Sequence, residues 1–136
     1  MLFLVKCEIS VKASENVIHV PTQYLTIQEA INHASSGDTV FVHNGTYYEH
    51  VVVNKSIFLI GENKDSTLID GENKPGKVIS ITANNVSIQG FTIMGSMARP
   101  YDCGVFVDHS SGIDISHNMI TGNNDGVSFY SSSANM

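Results

Sequence analysis

Val86-Ser-Ile-Gln-Gly-Phe-Thr-Ile-Met-Gly95 returns in altered words as Ile113-Asp-Ile-Ser-His-Asn-Met-Ile-Thr-Gly122. Val86 aligns with Ile113, Ile88 with Ile115, Ile93 with Ile120 and Gly95 with Gly122, every pair 27 residues apart (113 − 86 = 27). Upstream, Ile57-Phe-Leu-Ile-Gly61 fits the same frame. Downstream, Gly126-Val-Ser-Phe repeats Gly104-Val-Phe-Val at a spacing of 22 (126 − 104 = 22). Each phrase has apolar residues at i and i+2 and ends in Gly, Asn, Ser or Asp, as a very short strand does. One such repeat cannot bury its apolar side alone, so a period in this range predicts a solenoid of stacked units.

Working outward, rungs of three short strands begin near Val51, Val78, Val105 and Val127, with steps of 27, 27 and 22 residues (78 − 51, 105 − 78, 127 − 105). Three strands and three turns fit about 20–30 residues at roughly 3.3 Å per strand residue. Extra residues become longer turns, of which 71–77 and 96–102 are the longest. Insertions on one face of a solenoid often form its binding face. Parallel crossovers are right-handed, so the coil is expected to be right-handed too.

The N-terminal part reads differently. Val17-Ile-His-Val20 is a short strand ended by Pro21. Thr26-Ile-Gln-Glu29 is a capping box, and Ile27, Ala30, Ile31 and Ala34 follow at helical spacing. Gly37 stands where a left-handed C-terminal residue is wanted. A helix of about two to three turns here is well placed to cover the open end of the stack, which would otherwise be an aggregation hazard. Thr39–Val42, Val51–Val53, Ile57–Ile60 and Thr67–Ile69 read as strands, His43–Thr46 as a turn, and Asp70–Gly76 as the most breaker-rich loop.

With 136 residues the chain holds one domain. A net charge of −6, with Lys and Arg scattered singly, argues against nucleic acid and anionic membrane surfaces. No apolar run reaches the eighteen residues of a membrane span. Residues 1–16 are read as a leader, the remnant of a signal peptide or a first strand, and 17–136 as a cap and first rungs that continue into further rungs beyond Met136. Cys7 and Cys103 make no metal spacing, so they read as two independent small apolar residues, with a long-range disulfide as the alternative.

Thr26 to Glu49 followed by Ile57–Gly61 resembles the N-terminal cap of pectin-lyase-like right-handed parallel β-helices. Gly104 to Ile120 and Asp125 to Asn135 resemble the repeats of the NosD-like, carbohydrate-binding and sugar-hydrolase β-helix group. The resemblance covers nearly everything from Val17 on. It implies an all-β, right-handed, single-stranded parallel β-helix with a short N-terminal capping α-helix, in a secreted, periplasmic or cell-surface protein. It speaks far less to activity, because this fold carries many functions.

Several residues are candidates for chemistry. Gly45-Thr-Tyr-Tyr-Glu49 matches the Gly-x-Tyr-x-Glu phrase of pectin methylesterases, where it sits in the cap away from the catalytic carboxylates; a turn and edge strand are expected. Asp125 falls where that family places its first catalytic Asp, but Asn124 stands where the family has Gln, Cys103-Gly104 replaces a Gln-Ala pair, and the second Asp and the Arg are absent. A turn Asp before Gly126 is the competing reading. Asp108-His109 resembles the Asp-His phrase of pectate lyases, near a calcium groove. No cofactor is expected; calcium would require Asp102, Asp108 and Asp125 to share one face. Copper would require His109, His117 and Met119 to cluster, whereas scattered surface residues are the plainer reading. Tyr101 and Asp102, in or beside the 96–102 loop, are the candidates for ligand contact, with Tyr47, Tyr48 and Tyr130 as further faces for a sugar ring. Asn84, Asn85, Asn118, Asn123 and Asn124 recur at turns, where Asn tolerates left-handed backbone and can stack in ladders. Asn44-Gly-Thr, Asn54-Lys-Ser and Asn85-Val-Ser are glycosylation sequons, consistent with export.

The leading expectation is therefore a non-catalytic β-helix module presenting an elongated face to a polysaccharide or cell-surface glycan. Two alternatives stay open: a polysaccharide lyase or pectin-esterase-like enzyme with its catalytic rungs beyond residue 136, and a NosD-like periplasmic accessory protein for copper-site maturation.

Overall fold

A computed structural model describes residues 15–131. The leader expected over 1–16 lies outside the described residues apart from Glu15 and Asn16, as do Cys7 and residues 132–136. Among the described residues thirteen strands form three parallel sheets, joined by one helix. The first sheet runs in the order β1 (Val17–Val20), β2 (Thr39–Val42), β5 (Phe58–Gly61), β8 (Ser87–Gln89), β11 (Asp114–Ser116). The second holds β3 (Gly45–Tyr48), β6 (Thr67–Lys74), β9 (Thr92–Ser96) and β12 (Met119–Ile120). The third holds β4 (Val51–Val53), β7 (Ile79–Ile81), β10 (Cys103–Asp108) and β13 (Asp125–Tyr130). The chain visits the three sheets in turn, so each circuit is one rung of a parallel β-helix.

Register explains the repeat. Ile18, Val40, Leu59, Ile88 and Ile115 pair in succession up the first sheet. Tyr47, Ile69, Ile93 and Ile120 do so in the second. Val51, Ile79, Val105 and Val127 form one column of the third, and Val53, Ile81, Val107 and Phe129 another. The strand period of two sends these columns inward, where they merge into one core, except that Val127 and Phe129, on the last described strand, are exposed. Between the strands, the turns bring backbones close. A Cβ on Gly61 or on Gly90 would drive into the other's carbonyl, so both glycines are required by the approach of successive rungs.

Four details depart from the sequence reading. Val51 pairs with Ile79 rather than Val78, because Val78 is an additional buried residue preceding the strand. The third-sheet steps are therefore 28, 26 and 22 (79 − 51, 105 − 79, 127 − 105). Most of the presumed loop 70–76 is strand, since β6 runs on to Lys74 through a register shift between Asp70 and Lys74, with Glu72 and Asn73 at positive φ. The turn at 43–46 is shorter than expected, because β3 already starts at Gly45. Finally, the turn asparagines do not stack on one another. Asn84, Asn118, Asn123 and Asn124 bond to neighbouring backbone. Asn118 accepts from the Phe91 amide (3.0 Å) and donates to the Ile88 carbonyl (2.8 Å). Asn123 accepts from Ser96 (3.0 Å) and donates to Ile93 (2.9 Å). These side chains bond backbone groups of the turns and of the strands beside them.

The helix, α1 (Ile27–His33), closes the first end. Its Ile27, Ala30 and Ile31 are buried, as is the capping Ala34. Thr26 accepts from the Glu29 amide at 3.1 Å, which is one half of the capping box. The other free amides are taken from across the rung: Glu49 accepts from Ile27 (2.9 Å) and Gln28 (3.1 Å). At the opposite end Lys55 donates to the carbonyls of Ile31, Asn32 and Ala34 at 2.7–3.1 Å. Both charges have the sign that the helix dipole favours. The helix stops before Gly37, because Ala34 is extended (ψ 153°). Gly37 has the expected positive φ (93°), but in the loop beyond, where its amide donates to Ser56. Gln28 completes the closure. Its side chain accepts from the Val52 amide (2.7 Å) and donates to the Val52 carbonyl (3.1 Å), so one carboxamide occupies the free edge of β4 as a neighbouring strand would.

Two outcomes follow. Val86→Asp places an unpaired charge at a fully buried site and is expected to lower stability by several kcal/mol, clearly more than Ile115→Asp, whose site is only half-buried. Thermal denaturation followed by circular dichroism compares them. Glu49→Ala removes acceptors from two helix amides and should cost about 1–2 kcal/mol, while Tyr48→Ala, at an exposed neighbour, should leave the melting temperature nearly unchanged.

Candidate functional site: the outer face of the third sheet

The residues facing out along β10 and its approach make the most varied surface of the coil. Val52, Ser80, Phe106 and Ser128 form one outward column, and Asp108 and Tyr130 pair in the next. Lys77 holds its ammonium 4.8 Å over the Phe106 ring, a cation–π contact. At the end of β10, His109 bonds to the adjacent Asp108 carboxylate through Nδ1 and meets Tyr130 edge-on, with centroids 5.1 Å apart. His109 sits at positive φ (46°), a turn conformation that swings its ring back over Asp108 and Tyr130. Tyr130 is 59% exposed.

Tyr101 and Asp102 lie at the other end of β10. Tyr101 is 85% exposed and has φ of 74°; this left-handed geometry is uncommon for an aromatic residue and leaves its ring in solvent. Asp102 turns inward. Its Oδ1 accepts from the Gly76 amide at 2.9 Å, tying the loop before β7 to the loop before β10, while Oδ2 is buried without a partner. Asp102 is thus a loop clasp, and Tyr101 is the residue of this pair that is free to meet a ligand.

Asp125 opens β13 and pairs in register with Cys103. Cys103 is a free, buried thiol. Burial pushes its pKa up, opposed by a hydrogen bond from Ser128 and by Lys77. Asp102 and Asp125 therefore flank one end of β10, while Asp108 stands at the other. Cys103 to Asp108 spans six residues, roughly 17 Å of strand, so the three carboxylates do not share a calcium-sized site. The copper trio is likewise dispersed: His109 follows β10, exposed His117 lies in the turn between β11 and β12, and exposed Met119 opens β12. Among the described residues no three His, Cys, Asp or Glu side chains converge on a metal position. Two imidazoles do meet elsewhere, His19 and His43 (3.0 Å).

Gly45–Glu49 serves the cap. Tyr47 donates to the His43 carbonyl at 2.8 Å, and burial raises its hydroxyl pKa, with Glu49 and Glu62 adding to the shift. Glu49 holds the helix. Phe106 and Lys77 were not singled out by the sequence; the outward parity of Phe106, flanked by buried Val105 and Val107, was the available signal.

Known proteins place this architecture. The chain is 34% identical over 99 residues to a cell surface glycoprotein of Methanothermus fervidus, covering 71% of this chain and 16% of that protein's length. A solved pectin methylesterase in complex with hexasaccharide VII superposes with a TM-score of 0.63 at 16% identity, over 85% of this chain and 45% of its own. A mutant of pectin methylesterase with hexasaccharide IV gives 0.56 at 17% identity, over 74% and 42%. These structures share the pectin-lyase-like β-helix fold. Among the described residues no helix is long and apolar enough to cross a membrane. Residues 31–136 match the family described as periplasmic copper-binding protein (NosD), and the chain belongs to that NosD-like β-helix family.

Proposed function

We propose that this chain is a polysaccharide-binding β-helix module working outside the cytoplasm, with the outer face of the third sheet as its contact surface. The observation that carries the reading is the strip along β10: Tyr101 at one end, Phe106 in the middle, and Asp108 with Tyr130 at the other. Aromatic faces suit the apolar faces of sugar rings, and a carboxylate beside an imidazole suits their hydroxyls. A parallel coil holds these groups on a rigid surface, so little ordering is required when an extended chain lies across them.

Two similarities support the reading. The curated relative is a cell surface glycoprotein, and the family carries a periplasmic description; both point outside the cytoplasm. The solved structures that share the fold are complexes with hexasaccharides. The chain spans only 16% of the curated relative's length, so the module is proposed as one part of the work such a protein does. Binding without turnover is proposed for this face because Asp125, in the column of buried Cys103, does not share the outward parity of Phe106 and Asp108.

The test is affinity electrophoresis and product analysis on polygalacturonate and a mixed-glycan panel, with and without calcium. Retardation without new unsaturated or de-esterified product is expected. Phe106→Ala and Tyr101→Ala should each weaken retention, by about 1–3 kcal/mol if a stacked ring is lost, at unchanged melting temperature. Retention indifferent to both substitutions would remove this face from the account, and calcium-dependent product would establish a lyase instead.

A further inference from the structure

The outer face of the first sheet carries a notch that the strip along β10 does not use. Across β5, β8 and β11 one outward column runs Phe58, Ser87, Asp114. Strands lie about 4.8 Å apart, so Phe58 and Asp114 stand roughly 9–10 Å from each other with the short Ser87 between them. A small side chain between two larger ones leaves a gap one strand wide. Its volume is about 300 Å³, at the small end of the range for ligand sites. Phe58, 46% exposed, is one wall, and buried Ser87 is the floor. Asn85 and Gly112 close the side toward the turn before β8, and Gln89 closes the other.

The polar groups of the notch are held in place but not used up. Asp114 Oδ2 accepts from the Ser87 hydroxyl (3.4 Å) and from the Gln89 carboxamide (3.3 Å), both at the long limit of a hydrogen bond. Gln89 also donates to Ser87 Oγ at 3.1 Å, so its N–H groups are engaged within the cluster. Among the described residues nothing bonds Asp114 Oδ1, Gln89 Oε1 or the Asn85 carboxamide. No Lys or Arg lines the notch. We propose that it binds one neutral pyranose residue of a glycan, as a site separate from the third sheet. The apolar face of the sugar stacks on the Phe58 ring. Its hydroxyls donate to Asp114 Oδ1 and Gln89 Oε1, and the Asn85 amide group donates to a further sugar oxygen. A uronate would bring a second carboxylate to Asp114 with no cation to offset it, and that like-charge contact selects against acidic sugars. The class of ligand rests on the polysaccharide reading; the site and its selectivity go beyond it.

The stack builds this notch from three successive rungs. Phe58, Ser87 and Asp114 meet only because β5, β8 and β11 pair in register, and the backbone beneath them is fixed by those ladders, so little ordering is needed when a sugar enters. Gly112 shapes the turn side. It sits at φ 68°, and a Cβ there would run into Asn85 Oδ1, so the missing side chain is what lets the Asn85 carboxamide lie against the next turn. The notch and the strip along β10 are on different sheets, and no lining residue is shared between them.

The experiment is an NMR titration of the 15N-labelled 136-residue chain with mannohexaose, cellohexaose and hexagalacturonate. A neutral hexasaccharide is expected to shift the backbone amides of Ser87, Gln89 and Asp114 and the side-chain amides of Asn85 and Gln89 saturably, with hexagalacturonate weaker there by about tenfold or more. Phe58→Ala should weaken the neutral sugar by roughly tenfold. Asp114→Asn, which keeps the size of the side chain, should weaken it by a similar factor and narrow the preference over hexagalacturonate. Tyr101→Ala and Phe106→Ala should leave the response of the notch unchanged. No saturable response at the notch from either neutral hexasaccharide would overturn the site, as would hexagalacturonate bound there as tightly, or a response that survives both Phe58→Ala and Asp114→Asn in folded chains. Shifts confined to residues 101–108 and Tyr130 would overturn the notch and keep the third-sheet surface; a response at the notch with those residues silent would do the reverse.

Discussion

A parallel stack satisfies its backbone only by having a neighbour on each side, and among the described residues β4 has one on one side only. Everything above it depends on how that edge is closed. At β4 the closure is chemical as well as steric: the Gln28 carboxamide takes both the amide and the carbonyl of Val52. Glu49 and Lys55, which flank β4 in sequence, hold the two ends of α1 in return. The helix and the first strand of the third sheet therefore specify each other. A helix of seven residues is too short to persist in water on its own. Here its free amides and carbonyls are taken up by the rung it covers.

Once the end is closed, each rung is a template for the next. The inward columns are nearly homogeneous: an aliphatic ladder of Ile18, Val40, Leu59, Ile88 and Ile115 in one sheet, and Val51, Ile79 and Val105 in another. Like side chains stacked at rung spacing fill space with few choices of rotamer. That leaves the outward positions and the turns free to vary, and a pectin methylesterase can share this coil at 16% identity. Aromatic and charged groups gather on the outer face of the third sheet, where no core requirement constrains them.

The fold was legible because the 27-residue offset between Val86–Gly95 and Ile113–Gly122 is also the register of β8 with β11 and of β9 with β12. The Thr26 cap was legible for the same reason: its spacing is local. What escaped were relations across a rung. The second half of the helix cap comes from Glu49, 22 residues from Ile27, where a local reading assigns it to Glu29. The asparagines were placed correctly at turns, but the partners of Asn84, Asn118, Asn123 and Asn124 are backbone groups of other rungs. For the site, Tyr101 was legible as an exposed loop residue. Asp102 looked equivalent, yet burial makes it a clasp on Gly76. The His19–His43 pair had no signature in sequence at all, since stacking register alone joins it.

Cap and rungs form one cooperative stack. Amide hydrogen exchange resolved to single residues across 15–131 tests it most directly. The amides of Ile27, Gln28 and Val52, all held by the cap's side chains, are predicted to exchange as slowly as those of Ile79–Ile81 in the rung above and to open with them under denaturant. Cap amides that exchange orders of magnitude faster while Ile79–Ile81 stay protected would mean that the stack holds without its cap, and would contradict the account.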